Sequence, residues 1–174
     1  MESVRVLAGA LILVLGASIT PVRAANIPND PGGFNGYTWG TPLAKFPGFK
    51  LVKDLGSTDF VDNNGVYENP GETLTLNEAP LAMIRYRFVD NQLESILLRY
   101  TGRENRDKLM WWAEERFGKL THHERKMVNA ILWFGDKTAI NLKYDAATKE
   151  GTLYFFSRVL SHKFNEVHQA TQGD

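Results

Sequence analysis

The densest group of metal-ligating side chains in this sequence is His122-His123-Glu124. Two imidazoles and a carboxylate suit a divalent cation only if they converge on one point. Neighbours on an extended segment point to opposite sides, so the triplet reads as a polar helix-to-strand connection and no metal role is assigned. A second candidate, Asp59 to Gly65 (DFVDNNG), looks like a calcium loop. Aligning Gly65 with the loop glycine puts Asp62 and Asn64 at ligand positions, but Phe60 at the first and Gly71 at the last. A polar turn leading into a strand accounts for it better.

Other chemistry-bearing residues are scattered. Ser57, Ser95, Ser157 and Ser161 include none in a Gly-x-Ser-x-Gly elbow. Glu114-Glu115 is expected on the solvent side of a helix, and Glu72 and Glu78 in loops, so no acid–base pair emerges. There is no Gly-rich phosphate loop or dinucleotide fingerprint, and neither a catalytic residue nor a cofactor is expected. Two sets remain as candidates for ligand or partner binding. Arg85, Arg99 and His123 are polar groups that a pocket would need to converge, and Trp111-Trp112 brings two large aromatics to a helix. Further aromatics, among them Trp39, Trp133, Tyr154 and Phe155, would either line a cleft between helix and sheet or form the core. The core is the better use, because a chain without cysteine has no staple but burial.

The absence of cysteine also rules out thiol catalysis, thiol redox chemistry, iron–sulfur ligation and covalent haem attachment. Arg5 followed by an apolar run from Val6 to Ala17, then Val22 and Ala24 before Ala25, reads as a secretory signal peptide over residues 1–24. The run is short for a membrane span, which needs about 20 residues. Cleavage would leave 18 basic and 19 acidic residues, a balance with no footprint for nucleic acid or for anionic lipid. A periplasmic protein is expected, with secretion as the alternative. No stable membrane anchor would remain, and the partner would be an envelope protein or component.

Elements follow from periodicity. Ala25 to Gly33 is rich in Pro, Gly, Asn and Asp and is expected as a disordered or extended leader. One domain over residues 34–160 follows, then a C-terminal tail over 161–174. Trp39-Gly40-Thr41-Pro42 reads as a strand end, with Thr41 capping a short helical turn that Pro42 begins. Leu81 to Tyr100 forms a hairpin about Asp90-Asn91, pairing Phe88 with Leu93, Tyr86 with Ser95, Ile84 with Leu97, and Arg87 with Glu94. Thr101 to Lys119 is an amphipathic helix with Leu109, Met110, Ala113 and Phe117 inward and Gly118 as its stop. Trp111 and Trp112 sit about 100° apart on it, so one flanks the core and the other is partly exposed. Val128–Phe134, Thr138–Tyr144 and Gly151–Ser157 complete a three-strand meander. The expected architecture is α+β: a two-layer sandwich of a mainly antiparallel sheet covered by one long amphipathic helix.

The segments GFNGYTWGTP, FPGFKLV, IRYRFVDNQLESILLRYTG, ERFGK, WFGDKTAINLKYD and GTLYFFS together resemble a family of small exported bacterial proteins of unknown function. More distantly, a strand followed by W-G-T-P is similar to the start of the two-layer modules in outer-membrane assembly lipoproteins and β-lactamase-inhibitor-like proteins. The resemblance implies an exported, single-domain chain and brings no catalytic residues. The acylated cysteine of the lipoproteins is missing here. On these grounds the chain is expected to be a non-enzymatic binding or interaction module, the alternative being a small hydrolase or ligand carrier with a pocket between helix and sheet.

Overall fold

The computed structural model describes residues 25–57, 63–126 and 130–161. The expected signal peptide, most of the Asp59 to Gly65 turn, Val128 and Asn129, and the tail beyond Ser161 with His162 and His168 lie outside the described residues. The strands are β1 (Ala25–Asn26), β2 (Gly33–Phe34), β3 (Tyr37–Thr38), β4 (Lys50–Asp54), β5 (Gly65–Glu68), β6 (Thr75–Leu76), β7 (Ala79–Val89), β8 (Gln92–Thr101), β9 (Ile131–Phe134), β10 (Thr138–Tyr144) and β11 (Glu150–Ser157). A 3₁₀ turn covers Leu43–Lys45, and helices α1 (Arg103–Phe117) and α2 (His122–Arg125) separate β8 from β9.

Nine of these strands make one sheet in the order β1-β9-β10-β11-β8-β7-β5-β4, with β6 added to β7. The sheet is mixed because β1 runs parallel to β9, while the other pairings are antiparallel. This overturns the expected two-layer α+β sandwich: the described residues form mostly one large mixed sheet with short helical segments, and among them no long helix covers it. Width explains the difference. Eight strands side by side span about 34 Å at roughly 4.8 Å each, whereas the 15 residues of α1 reach only about 22 Å. The sheet grows so wide because β11 docks on β8 and fuses hairpin and meander into one surface.

The apolar face is covered jointly by α1 and by the N-terminal segment. Trp112 of α1 meets Phe34, Phe117 and Phe155 at ring distances of 5.4–6.4 Å, and Phe46 packs on Tyr37, Phe49 and Phe88 at 4.7–5.0 Å. Ala25 to Gly33, expected as a disordered or extended leader, pairs through β1 with Trp133 and Phe134 and buries Ile27. Asp30 fastens it further by accepting from the amides of Gly32 (2.8 Å), Lys137 (2.6 Å) and Thr138 (2.8 Å).

The hairpin forms where expected. Asp90 and Asn91 take φ of 51° and 57°, the paired positive values of a type I′ turn. Phe88 faces Leu93 as read from the sequence, but Arg87 then faces Ser95, Tyr86 faces Ile96 and Arg85 faces Leu97. Glu94 is the extra residue of a β-bulge, which moves the partners of Arg87 back to Met83 by one, until a second irregularity between Leu81 and Met83 returns Leu81 to Tyr100. The slip puts Ile96, Leu98 and Tyr100 with Ile84, Tyr86 and Phe88 on the core face. It puts Ser95 and Leu97 with Arg85 and Arg87 on the opposite face. The pairing of Arg87 with Glu94 survives as a 3.9 Å ion pair.

Within α1 the inward stripe of Leu109, Met110, Ala113 and Phe117 is buried. Arg106 and Glu114, expected in solvent, are buried as well. Glu114 accepts from the Leu120 amide (2.8 Å) and from Nε and Nη2 of Arg125 (3.0 and 2.8 Å), so its charge ties the end of α1 to α2. The capping expectation at Thr41 also changes. Pro42 is the cap residue of the 3₁₀ turn, and the Thr41 hydroxyl donates instead to the Thr38 carbonyl at 2.7 Å.

Candidate functional site on the open sheet face

Strand alternation gives the sheet a second face, away from α1, and there the register lines side chains up in rows. One row runs Asn141–Tyr154–Leu97–Arg85 from β10 to β7. The next runs Phe156–Ser95–Arg87–Val66 from β11 to β5. On the other side Lys143, Thr152 and Arg99 are aligned. A groove of about 410 Å³ lies over these rows, lined by Val66, Arg85, Arg87, Ser95, Leu97, Asn141, Lys143, Thr152 and Tyr154. Its volume falls in the range of roughly 300–1,000 Å³ typical of small-molecule sites.

Leu97, Val66 and the Tyr154 ring make the apolar floor, and the basic groups rise at its margins. Arg85 is held by Glu68 at 2.8 Å, and Arg87 by Glu94 and by the Asn64 amide oxygen at 3.3 Å. Glu94 is buried beside the floor, and the Ser161 hydroxyl reaches its other oxygen. Lys143 forms no ion pair among the described residues and projects into solvent at the groove's side. The nine lining residues thus include three cations and no carboxylate, in a chain whose net charge is zero. Burial pushes the Tyr154 phenol up and the Glu94 carboxylate adds to this, against hydrogen bonds from Ser95 and Arg87 that lower it. A phenol raised in this way stays protonated near neutral pH and is a hydrogen-bonding group rather than a base. The side-chain oxygen of Asn141 is buried at the groove and has no hydrogen-bond partner among the described residues.

Compared with family models, curated proteins and solved structures, the chain has no match. The residues themselves must therefore carry the reading. Of the candidates named from the sequence, Arg85 lies in the groove. Arg99 sits next to it, paired with Glu150 at 3.0 Å, beside a more open depression formed with the loop before β11. Trp111, Trp112 and His123 belong to the helices on the other side of the sheet, so the structure does not bring the five together. Trp111 is 62% exposed, whereas Trp112 is only 8% exposed and carries Arg116 over its ring at 5.2 Å. His122 and His123 are exposed on α2, and Glu124 is used in a capping box with Thr121. His123 therefore has no part in the groove.

The Trp39-Gly40-Thr41-Pro42 signature is a tether. Gly40 donates to the Leu93 carbonyl (2.9 Å), Leu93 donates to the Thr41 carbonyl (3.0 Å), and Pro42 bridges Gln92. Gly40 takes φ of 81°, which favours glycine. The Trp39 indole donates to the Thr138 hydroxyl at 2.9 Å, and that hydroxyl also bonds Asp30. Three distant segments are joined in this way.

Sequence reasoning missed Val66, Arg87, Ser95, Leu97, Asn141, Lys143 and Thr152 as lining residues, and it assigned Tyr154 to the core or to a cleft between helix and sheet. A period-two reading of the half-polar face of each strand carried the signal, but only the bulge at Glu94 sets which residues share it. The outermost strand, β4, offers an exposed edge with Leu51 and Val52. Lys50, Lys53 and a register irregularity between Leu51 and Lys53 guard it against pairing with another strand.

Proposed function

We propose that this chain is a non-enzymatic exported binding module that holds a small ligand on the open face of its sheet. The observation that carries the reading is the groove itself: an apolar floor with cationic margins, built from five strands and filled by no side chain of the described residues. The alternative of a pocket between helix and sheet loses ground, because that interface is occupied by Trp112, Phe34, Phe117 and Phe155. Export rests on residues 1–24, with the apolar run from Val6 to Ala17 and the small residues Val22 and Ala24 before Ala25. A periplasmic location and an envelope-derived ligand follow from that export. Native mass spectrometry of the protein purified from the cell envelope provides the test. The reading expects a retained small-molecule adduct that is lost in Leu97→Trp, where an indole occupies the floor. An adduct equal in both proteins, or none in either, contradicts it.

A further inference from the structure

We infer that the groove is selective for an anionic amphiphile that carries an N–H or O–H donor close to its acidic group, the acyl-amino-acid type of chemistry. This inference rests on the groove being a binding site and names what the site takes.

Three observations point to that ligand. The lining contributes Arg85, Arg87 and Lys143 and no carboxylate of its own, and with the two arginines offset by Glu68 and Glu94 just outside it, the charge left to favour an anion is that of Lys143. Arg85 and Arg87 are anchored by Glu68 and Glu94, whereas the Lys143 ammonium has no ion pair among the described residues. Lys143 is therefore the cation best placed to receive a ligand's charge. The apolar part of the ligand has its counterpart in Leu97 and the Tyr154 ring beside it.

The third observation is Asn141. A buried amide oxygen without a donor is rare, because its desolvation is not offset. Asn141 and Lys143 are two residues apart on β10, so they share a face and stand about 7 Å from each other along the strand. A ligand whose carboxylate meets Lys143 would bring an amide N–H from its own backbone within reach of Asn141. Simple fatty acids lack that donor and neutral amides lack the charge, so the two groups together define a narrower class than the groove's shape does.

Calorimetric titration of the purified protein with N-dodecanoylglycine, its neutral glycinamide and N-dodecanoylsarcosine, each below micelle formation, separates the contributions. The sarcosine keeps the charge but has no N–H. N-dodecanoylglycine is expected to bind about tenfold more tightly than the glycinamide and several-fold more tightly than the sarcosine. Lys143→Gln should abolish the first difference and Asn141→Leu the second, each leaving the other intact. Lys143 is a surface residue, so its variant remains folded and is checked by its melting curve. Equal affinity for all three probes in the wild-type protein, with binding still lost in Leu97→Trp, overturns the selectivity while leaving the groove as the site. Binding of none, or binding unaffected by Leu97→Trp, overturns the groove reading and the selectivity with it.

Discussion

Glu114→Ala tests the way the helical segments are held. Glu114 is 3% exposed and is the acceptor for the Leu120 amide and for two nitrogens of Arg125. Removing the carboxylate leaves the Leu120 amide buried without a partner, which costs about 1–3 kcal/mol. Arg125 retains access to water, with its side chain 44% exposed, so losing its share of the ion pair costs no more than about 1 kcal/mol. The lost methylene adds about 0.8 kcal/mol, and alanine's better helix propensity returns a few tenths. The expected loss is about 3 kcal/mol, or roughly 6–12 °C in melting temperature for a chain of this size. Glu114→Gln keeps an acceptor for Leu120 and should lose only about 1 kcal/mol. Thermal and urea unfolding of both variants decides the matter. If Ala lies within about 0.5 kcal/mol of wild type, or if Gln is as damaging as Ala, the clamp does not hold the helices.

Three further outcomes follow from the same geometry. Asp30 has its carboxyl affected first by burial, which raises it, but hydrogen bonds from Thr138, Gly32 and Lys137 outweigh this and hold it below its ordinary value of 3.8. A lowered folded value means stability that is complete above the unfolded value and lost as pH falls through the folded one. The stability gap between wild type and Asp30→Asn should therefore be constant near neutral pH and narrow below about pH 4; a gap that widens with acid would contradict the assignment. Tyr100→Phe removes the hydrogen bond to the Lys143 carbonyl (2.7 Å) and should lower stability by about 1 kcal/mol in urea unfolding. Trp39→Ala should lose about 2 kcal/mol, less than the 3–5 of a fully buried tryptophan, because Trp39 is only half-buried; a calorimetric melt measures it.

Local chemistry was legible in the sequence wherever one residue type has one conformational use. Asp90-Asn91 could be read as a turn because both tolerate positive φ, and Gly118 as a helix stop because its φ of 121° is open to glycine. One tryptophan inward and one outward on α1 followed from the helical angle alone. What was not legible depends on events between segments. The bulge at Glu94 has no marker in the residue types of the hairpin, yet it decides whether Ser95 or Ile96 faces the core. The docking of β11 on β8 makes one broad sheet in place of an expected two-layer sandwich, and the parallel pairing of β1 with β9 makes it mixed. The groove follows from both, since its lining comes from five strands that are neighbours only through that register. Arg106 and Glu114 were placed in solvent because charged residues usually are, and the ion pair that lets Glu114 be buried comes from the next helix.

The central claim is that the open face of the sheet, and not the exposed Trp111 on α1, is where this chain binds. The most direct measurement is an amide chemical-shift map of the protein titrated with N-dodecanoylglycine. The account predicts shifts concentrated at Leu97 on β8, Asn141 and Lys143 on β10, and Thr152 and Tyr154 on β11, and their disappearance in Leu97→Trp. Shifts centred on α1 around Trp111, or shifts that persist in Leu97→Trp, would contradict it.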